Sequence, residues 1–213
     1  WDALTGTAIV TFTKHLNPDQ STPPLLGGVA FSPDGQHIFT SGTDGYVREW
    51  DAATGQQVRS FSGEGLEIYG MALSPDGQRL ALGRQDGVVT VWDVASDQKL
   101  LHLSGHAGLI VRLAFSRDGT RLASASFDKV AKVWDVATGQ ELATLYGNTS
   151  NVFGVAFNPT GTQLATAGSD GTARTFTLQM NDLIELARSR ATRSLTKDEC
   201  RKYLHQDDCP ALP

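Results

Sequence analysis

Residues 105–136 read GHAGLIVRLAFSRDGTRLASASFDKVAKVWDV. The apolar run from Ile110 to Phe115 stops at the Asp118-Gly119 turn, and Arg121 to Ser124 follows. A second turn at Asp128-Lys129 leads to Val130 through Trp134, where apolar positions alternate. After the loop Ala137-Thr138-Gly139, a last short run spans Glu141 to Leu145. Four short runs broken by Asp-Gly and Thr-Gly pairs predict an antiparallel meander, because such pairs suit the tight reversals that sheets need. One such sheet cannot shelter both of its faces, so it has to stack on others like it.

The others are present in the chain. Trp-Asp occurs at Trp1-Asp2, Trp50-Asp51, Trp92-Asp93 and Trp134-Asp135; the last three lie 42 residues apart, and 42 more lead to the decayed copy Phe176-Thr177. Ser32-Pro33-Asp34-Gly35, Ser74-Pro75-Asp76-Gly77, Ser116-Arg117-Asp118-Gly119 and Asn158-Pro159-Thr160-Gly161 keep the same period. So do Asp44, Asp86, Asp128 and Asp170, each six residues before a Trp or its substitute. Three markers in one register over four copies define a repeat protein. Radial stacking of the sheets predicts a propeller.

Bulk properties narrow the function. The 213 residues are 40% hydrophobic and carry 22 scattered glycines, a globular composition. A net charge of −5 argues against a broad nucleic-acid surface. No apolar run is long enough to span a membrane. The two cysteines, Cys200 and Cys209, both follow the repeats, so the body folds without disulfides, which suits the cytoplasm. They lack neighbouring histidines or further cysteines, so neither a metal nor another cofactor is expected.

The 42-residue period, the Trp-Asp ends and Gly105-His106 ahead of Asp128 resemble the WD40 family over roughly residues 1–177. The resemblance implies an all-β propeller segment of about four blades from a ring of seven or eight, followed by a helical tail over 178–213. It also implies a hydrogen-bonded tetrad of His, Ser or Thr, Asp and Trp in each complete blade. His106, Ser124, Asp128 and Trp134 match at all four places. The first copy keeps Thr40, Asp44 and Trp50 with Thr22 where the His would stand; the second keeps Asp86 and Trp92 with Glu64 and Leu82 substituted. The fourth has Asn148, Thr166, Asp170 and Phe176. One complete tetrad is therefore expected.

The ends read differently. Thr7 to Thr13 is an orphan outer strand, assigned to a blade that precedes the first copy. The segment from Trp1 to Trp50 spans 49 residues rather than 42, which reflects an insert around Asn17 to Pro24. Beyond Thr177 the apolar period becomes helical. Asn181 or Asp182 caps one helix, and Thr196-Lys197-Asp198-Glu199 is a capping box for a second. This tail resembles the terminal segment of large bacterial WD40 proteins, many of which carry a signal-transduction NTPase or kinase domain.

No nucleophile elbow, phosphate loop or paired-histidine metal motif occurs, so enzymatic function is not expected. Propellers of this family bind partners on a rim built from two loop sets. Here that rim offers Tyr46, Glu64, Glu67, Tyr69, Arg84, Gln85, Leu109, Arg112, Phe127, Lys129, Asn151 and Phe153. Aromatic and arginine side chains on a rigid rim are the usual anchors of an interface. The expectation is a non-catalytic protein- or ligand-binding sensor or scaffold module of a larger bacterial signalling protein, its partner being a protein or an effector domain of the same parent chain. A structural self-association module and the propeller of a multidomain hydrolase are the alternatives, and the oligomeric state is open.

Overall fold

A computed structural model describes residues 24–178 together with Leu4, Thr5, Thr7, Ala8, Val10, Thr11 and His15. Among these residues the chain is all-β, with fifteen strands in four antiparallel sheets. The first sheet holds β1 (Leu26–Phe31), β2 (His37–Gly42), β3 (Tyr46–Asp51) and β4 (Gln57–Ser62). The second holds β5 (Ile68–Leu73), β6 (Arg79–Arg84), β7 (Val89–Asp93) and β8 (Gln98–Leu103). The third holds β9 (Ile110–Phe115), β10 (Arg121–Ser126), β11 (Ala131–Asp135) and β12 (Glu141–Leu145). The fourth has three strands, β13 (Val152–Phe157), β14 (Gln163–Gly168) and β15 (Ala173–Thr177). Each sheet is a meander in chain order.

The 42-residue markers are the turns of these meanders. In the first hairpin of each full sheet the serine and aspartate build the reversal together. Ser32 Oγ accepts from the His37 amide at 2.9 Å, Asp34 accepts from the Gln36 amide at 3.0 Å, and Gly35 takes φ +71°. Ser74 with Asp76 and Ser116 with Asp118 repeat the arrangement. Asn158 replaces the serine in the fourth sheet, its Oδ1 accepting from the Gln163 amide at 3.0 Å. These bonds favour ionised carboxylates; the Ser116 hydroxyl and the Thr120 amide hold Asp118 at about 2.

Inner strands stack on inner strands: β1 on β5, β5 on β9 and β9 on β13. The seams bury the apolar faces. Phe39, Val47 and Phe61 of the first sheet pack with Ile68, Met71 and Leu80 of the second. Ala81, Val89 and Val91 of the second pack with Ile110, Leu113 and Trp134 of the third. Each fully buried aliphatic side chain contributes about 1.5–3 kcal/mol, so these seams, more than any polar network, hold the stack together.

One bulge recurs with the repeat. β1, β5, β9 and β13 each carry one residue without a partner on the next strand: Gly27, Tyr69, Val111 and Phe153. A bulge re-aims its side chain relative to the pleat. Gly27 is required where it stands, because a Cβ there would lie 2.4 Å from the Tyr69 carbonyl oxygen.

Of the orphan strand expected over 7–13, the described residues Thr7, Ala8, Val10 and Thr11 are not in a strand. The spacing accounts for this. Residues 7–12 stand before His15 as β8 stands before His106, and β8 belongs to the sheet preceding the one that His106 locks. No described sheet precedes the first, so the segment has no described edge to join. Trp1, Thr22, and residues 179–213 with Cys200 and Cys209, lie outside the described residues.

Candidate functional site

In the third sheet the four tetrad side chains form one hydrogen-bonded chain. Trp134 Nε1 donates to Ser124 Oγ at 2.9 Å. His106 Nε2 lies 2.7 Å from the same oxygen, and His106 Nδ1 lies 2.7 Å from Asp128 Oδ2. Because Ser124 accepts from the indole, its own proton points to Nε2, and Nδ1–H then donates to the carboxylate. Every proton is used once. Burial holds the His106 imidazole below its ordinary value of 6.5, against the opposing pull of Asp128, so the ring is neutral at pH 7. Asp128 also accepts from the Ala107 amide at 3.0 Å, which ties the incoming loop to the turn between β10 and β11.

Ser, His and Asp in this order have the connectivity of a nucleophilic triad, but the surroundings make it a latch. Ser124 is wholly buried, the His106 side chain is sealed, and an indole N–H occupies the serine oxygen. A hydroxyl that no substrate can approach cannot act as a nucleophile.

The first sheet contains a second complete tetrad, contrary to the expectation of one. His15 Nε2 lies 2.8 Å from Thr40 Oγ1, His15 Nδ1 lies 3.1 Å from Asp44 Oδ1, and Trp50 Nε1 donates to Thr40 at 2.7 Å. Thr22, expected in the histidine's place, lies outside the described residues. Uniform counting over the insert misses the histidine: His106 and Ser124 are 18 residues apart, whereas His15 and Thr40 are 25 apart. The difference of seven equals the insert, and correcting for it would have pointed to His15. Arg48 also reaches this group, its Nη1 donating to Asp44 Oδ2 at 2.6 Å.

The second sheet solves the same problem with ions. Leu82 supplies no hydroxyl, so Trp92 Nε1 donates to Thr90 on its own strand at 3.0 Å. Arg84 Nη1 donates to Glu64 Oε2 and its Nη2 to Asp86 Oδ2, both at 2.6 Å, and Lys99 pairs with the other Glu64 oxygen. Arg84, expected on the accessible rim, is therefore corrected to a buried bridge that is 7% exposed. It ends β6 at an inward position, where two carboxylates need a shared cation. In the fourth sheet Arg174 Nη1 donates to Asp170 Oδ2 at 3.0 Å and to Asn148 Oδ1 at 3.1 Å. Thr166 Oγ1 reaches the same Asn148 oxygen at 3.5 Å.

Above these latches the two loop sets are joined by backbone. The Gln85 amide donates to the Glu67 carbonyl, Phe127 to Leu109, and Ser169 to Asn151. Phe127 packs edge to face with Phe153 across the third and fourth sheets, ring centres 5.1 Å apart, while Phe153 stays 50% exposed. Arg112, Gln85, Lys129 and Tyr46 are exposed. The guanidinium of Arg48 sits 5.4 Å over the Tyr46 ring. Tyr69 is half-buried and donates to Glu67 at 2.6 Å, which with burial pushes its hydroxyl up to about 12. Lys129 takes φ +74°, a left-handed conformation that Gly45, Gly87 and Gly171 occupy in the other repeats. A lysine held there stores backbone strain, and such strain gathers at functional positions.

Four stacked meanders latched at each turn beneath a rim of joined loops define a repeat module that presents a rigid surface. The chain belongs to the WD40 family (WD domain, G-beta repeat), which matches residues 6–51, 55–93, 97–135 and 139–176. Such repeats generally serve as non-catalytic scaffolds for protein interaction. The chain is similar to WD repeat-containing protein 82 of Drosophila melanogaster, with 41% identity over 63 residues. That match covers 30% of this chain and 19% of the relative.

Proposed function

We propose that this chain is the binding module of a larger bacterial signalling protein, and that its loop rim engages a protein partner or an effector domain of the same parent chain in the cytoplasm. The observation that carries the reading is a division of labour among polar and aromatic residues. His15, His106, the tetrad aspartates and Arg84 are consumed in latches below the rim, whereas Arg112, Lys129 and Phe153 stay exposed above it. Phe153 is a bulge residue braced by Phe127, so its exposed ring is held in place before any partner arrives. Preorganised aromatic and arginine anchors lose little entropy on association. The bacterial signalling context is supported by the resemblance of the tail and by the family's use as scaffolds.

The test compares proteins crosslinked to the wild-type chain with those crosslinked to an Arg112→Ala/Phe153→Ala variant, using quantitative mass spectrometry. A partner at least tenfold depleted from the variant, at unchanged melting temperature, supports the rim. Equal capture by both chains overturns it.

A further inference from the structure

One position on the inner strands breaks the repeat. Gly28, Gly70 and Gly154 occupy it in three copies, whereas the third copy has Arg112. The position is crowded. A Cβ at Gly28 would lie 3.0 Å from the Met71 Cβ, and one at Gly70 would lie 3.2 Å from the Arg112 nitrogen, both on the next inner strand. Glycine is therefore the undemanding choice. Arg112 gains no contact that offsets the crowding: its side chain is exposed, and the guanidinium has no partner among the described residues. The third sheet has described sheets on both sides, so this exposure belongs to the seam itself.

The same copy makes the same exchange once more. Lys129 stands where the other repeats have Gly45, Gly87 and Gly171, and it holds the left-handed backbone that they use. It too is exposed, and its ammonium group has no partner among the described residues. Two glycines are thus exchanged for cations in one repeat, each at a structural cost and neither with a partner inside the fold. Phe127 joins them. Arg112 pairs across from Ala125, two residues before Phe127, and Lys129 lies two residues after it. The Phe127 ring is braced edge to face by Phe153.

The remaining charges decide the sign of the partner. Each carboxylate described on the rim is already engaged: Asp44 by Arg48, Glu64 and Asp86 by Arg84, Asp128 by His106, Asp170 by Arg174, and Glu67 by the Tyr69 hydroxyl. Negative charge gathers instead at the opposite end of the meanders. There Asp34, Asp51, Asp76, Asp93, Asp118 and Asp135 sit in the turns and accept backbone amides as carboxylates. The molecule is polarised along its strands, with two unopposed cations at the rim. Such a field draws in and orients a negatively charged partner. Nucleic acid is the poorer fit, because two cations beside one aromatic pair do not make the extended basic stripe that a phosphate backbone engages.

We infer that the partner docks through an acidic segment of its chain, one carboxylate on the Arg112 guanidinium and a neighbouring one on the Lys129 ammonium, with an apolar side chain against Phe127. The inference rests on the loop rim being the binding surface and adds the chemistry of what it binds.

Poly-L-glutamate, poly-L-lysine and a single-stranded oligonucleotide titrated into the isotopically labelled full chain test it, with amide chemical shifts read by nuclear magnetic resonance. Poly-L-glutamate alone should move the amides around Arg112, Phe127 and Lys129. Arg112→Gln/Lys129→Gln should bind it about tenfold more weakly, the loss expected for a charged hydrogen bond, whereas Arg112→Lys/Lys129→Arg should retain it. Both sites are exposed, and unchanged melting temperatures check that the variants fold. No response, shifts confined to other regions, equal binding by the glutamine variant, or a larger response to either other polymer overturns the inference. The rim itself is judged separately. A crosslinked partner lost from Arg112→Ala/Phe153→Ala but captured equally by Arg112→Gln/Lys129→Gln keeps the rim and overturns the acidic segment.

Discussion

The imidazole of His15 lies 2.8 Å from the hydroxyl of Thr40 on β2, in the geometry that His106 adopts beside Ser124. A side chain far from the first meander in sequence therefore locks its turn, and two sheets depend on a histidine.

Removing either histidine should destabilise the fold by a similar amount. His106→Ala leaves Asp128 and Ser124 facing a cavity, and His15→Ala does the same to Asp44 and Thr40. An unsatisfied buried polar group costs about 1–3 kcal/mol, and a domain of this size loses about 2–4 °C per kcal/mol. Thermal unfolding followed by circular dichroism checks this; an unchanged midpoint for His15→Ala would show that the first tetrad contributes nothing.

Acidification should weaken the protein before its carboxylates titrate. Burial, the largest cause, depresses both His15 and His106 below 6.5 in the folded state. The unfolded chain thus binds more protons between the folded and unfolded values. Stability is fully present above about 6.5 and is lost as pH falls below it. The depressed aspartates, such as Asp118 at about 2, act only below their ordinary value of 3.8. Melting temperatures between pH 7.5 and 5 should fall for the wild type and stay nearly level for His15→Gln/His106→Gln.

Lys129→Gly should stabilise the chain. The left-handed backbone at Lys129 costs a side-chain-bearing residue roughly 1 kcal/mol that glycine avoids. The midpoint should rise by about 2–4 °C, while capture of a rim partner weakens if the ammonium group takes part. A lower midpoint would show that the lysine makes contacts outweighing its strain.

Gly27→Ala should be costly. The added carbon would meet the Tyr69 carbonyl at 2.4 Å, a backbone atom that can retreat only by parting the first two sheets. Overpacking of this kind costs about 1–3 kcal/mol. Chemical denaturation measures it. In contrast, Gly35→Ala meets no neighbour within 4 Å and should cost only what its φ of +71° imposes.

The repeat, the strand count of each meander and the turn chemistry were all readable from residues alone. They depend on neighbours a few positions apart: Ser116 with Asp118, or Asp128 with the Val130 amide. Fixed spacing carries such local bonds intact from one copy to the next. Three features needed the folded chain. His15 was hidden because an insert broke the spacing while leaving the three-dimensional position free to be filled from farther back. Arg84 looked like a rim residue because its place in a loop set says nothing about direction; the paired carboxylates of Glu64 and Asp86 turned it inward. The exposure of Leu26, Val29 and Phe31 could not be read from a pattern they share with Ile68, Met71 and Leu73, because a repeat specifies which face of a sheet is apolar, whereas only the arrangement of whole sheets decides whether anything lies against it.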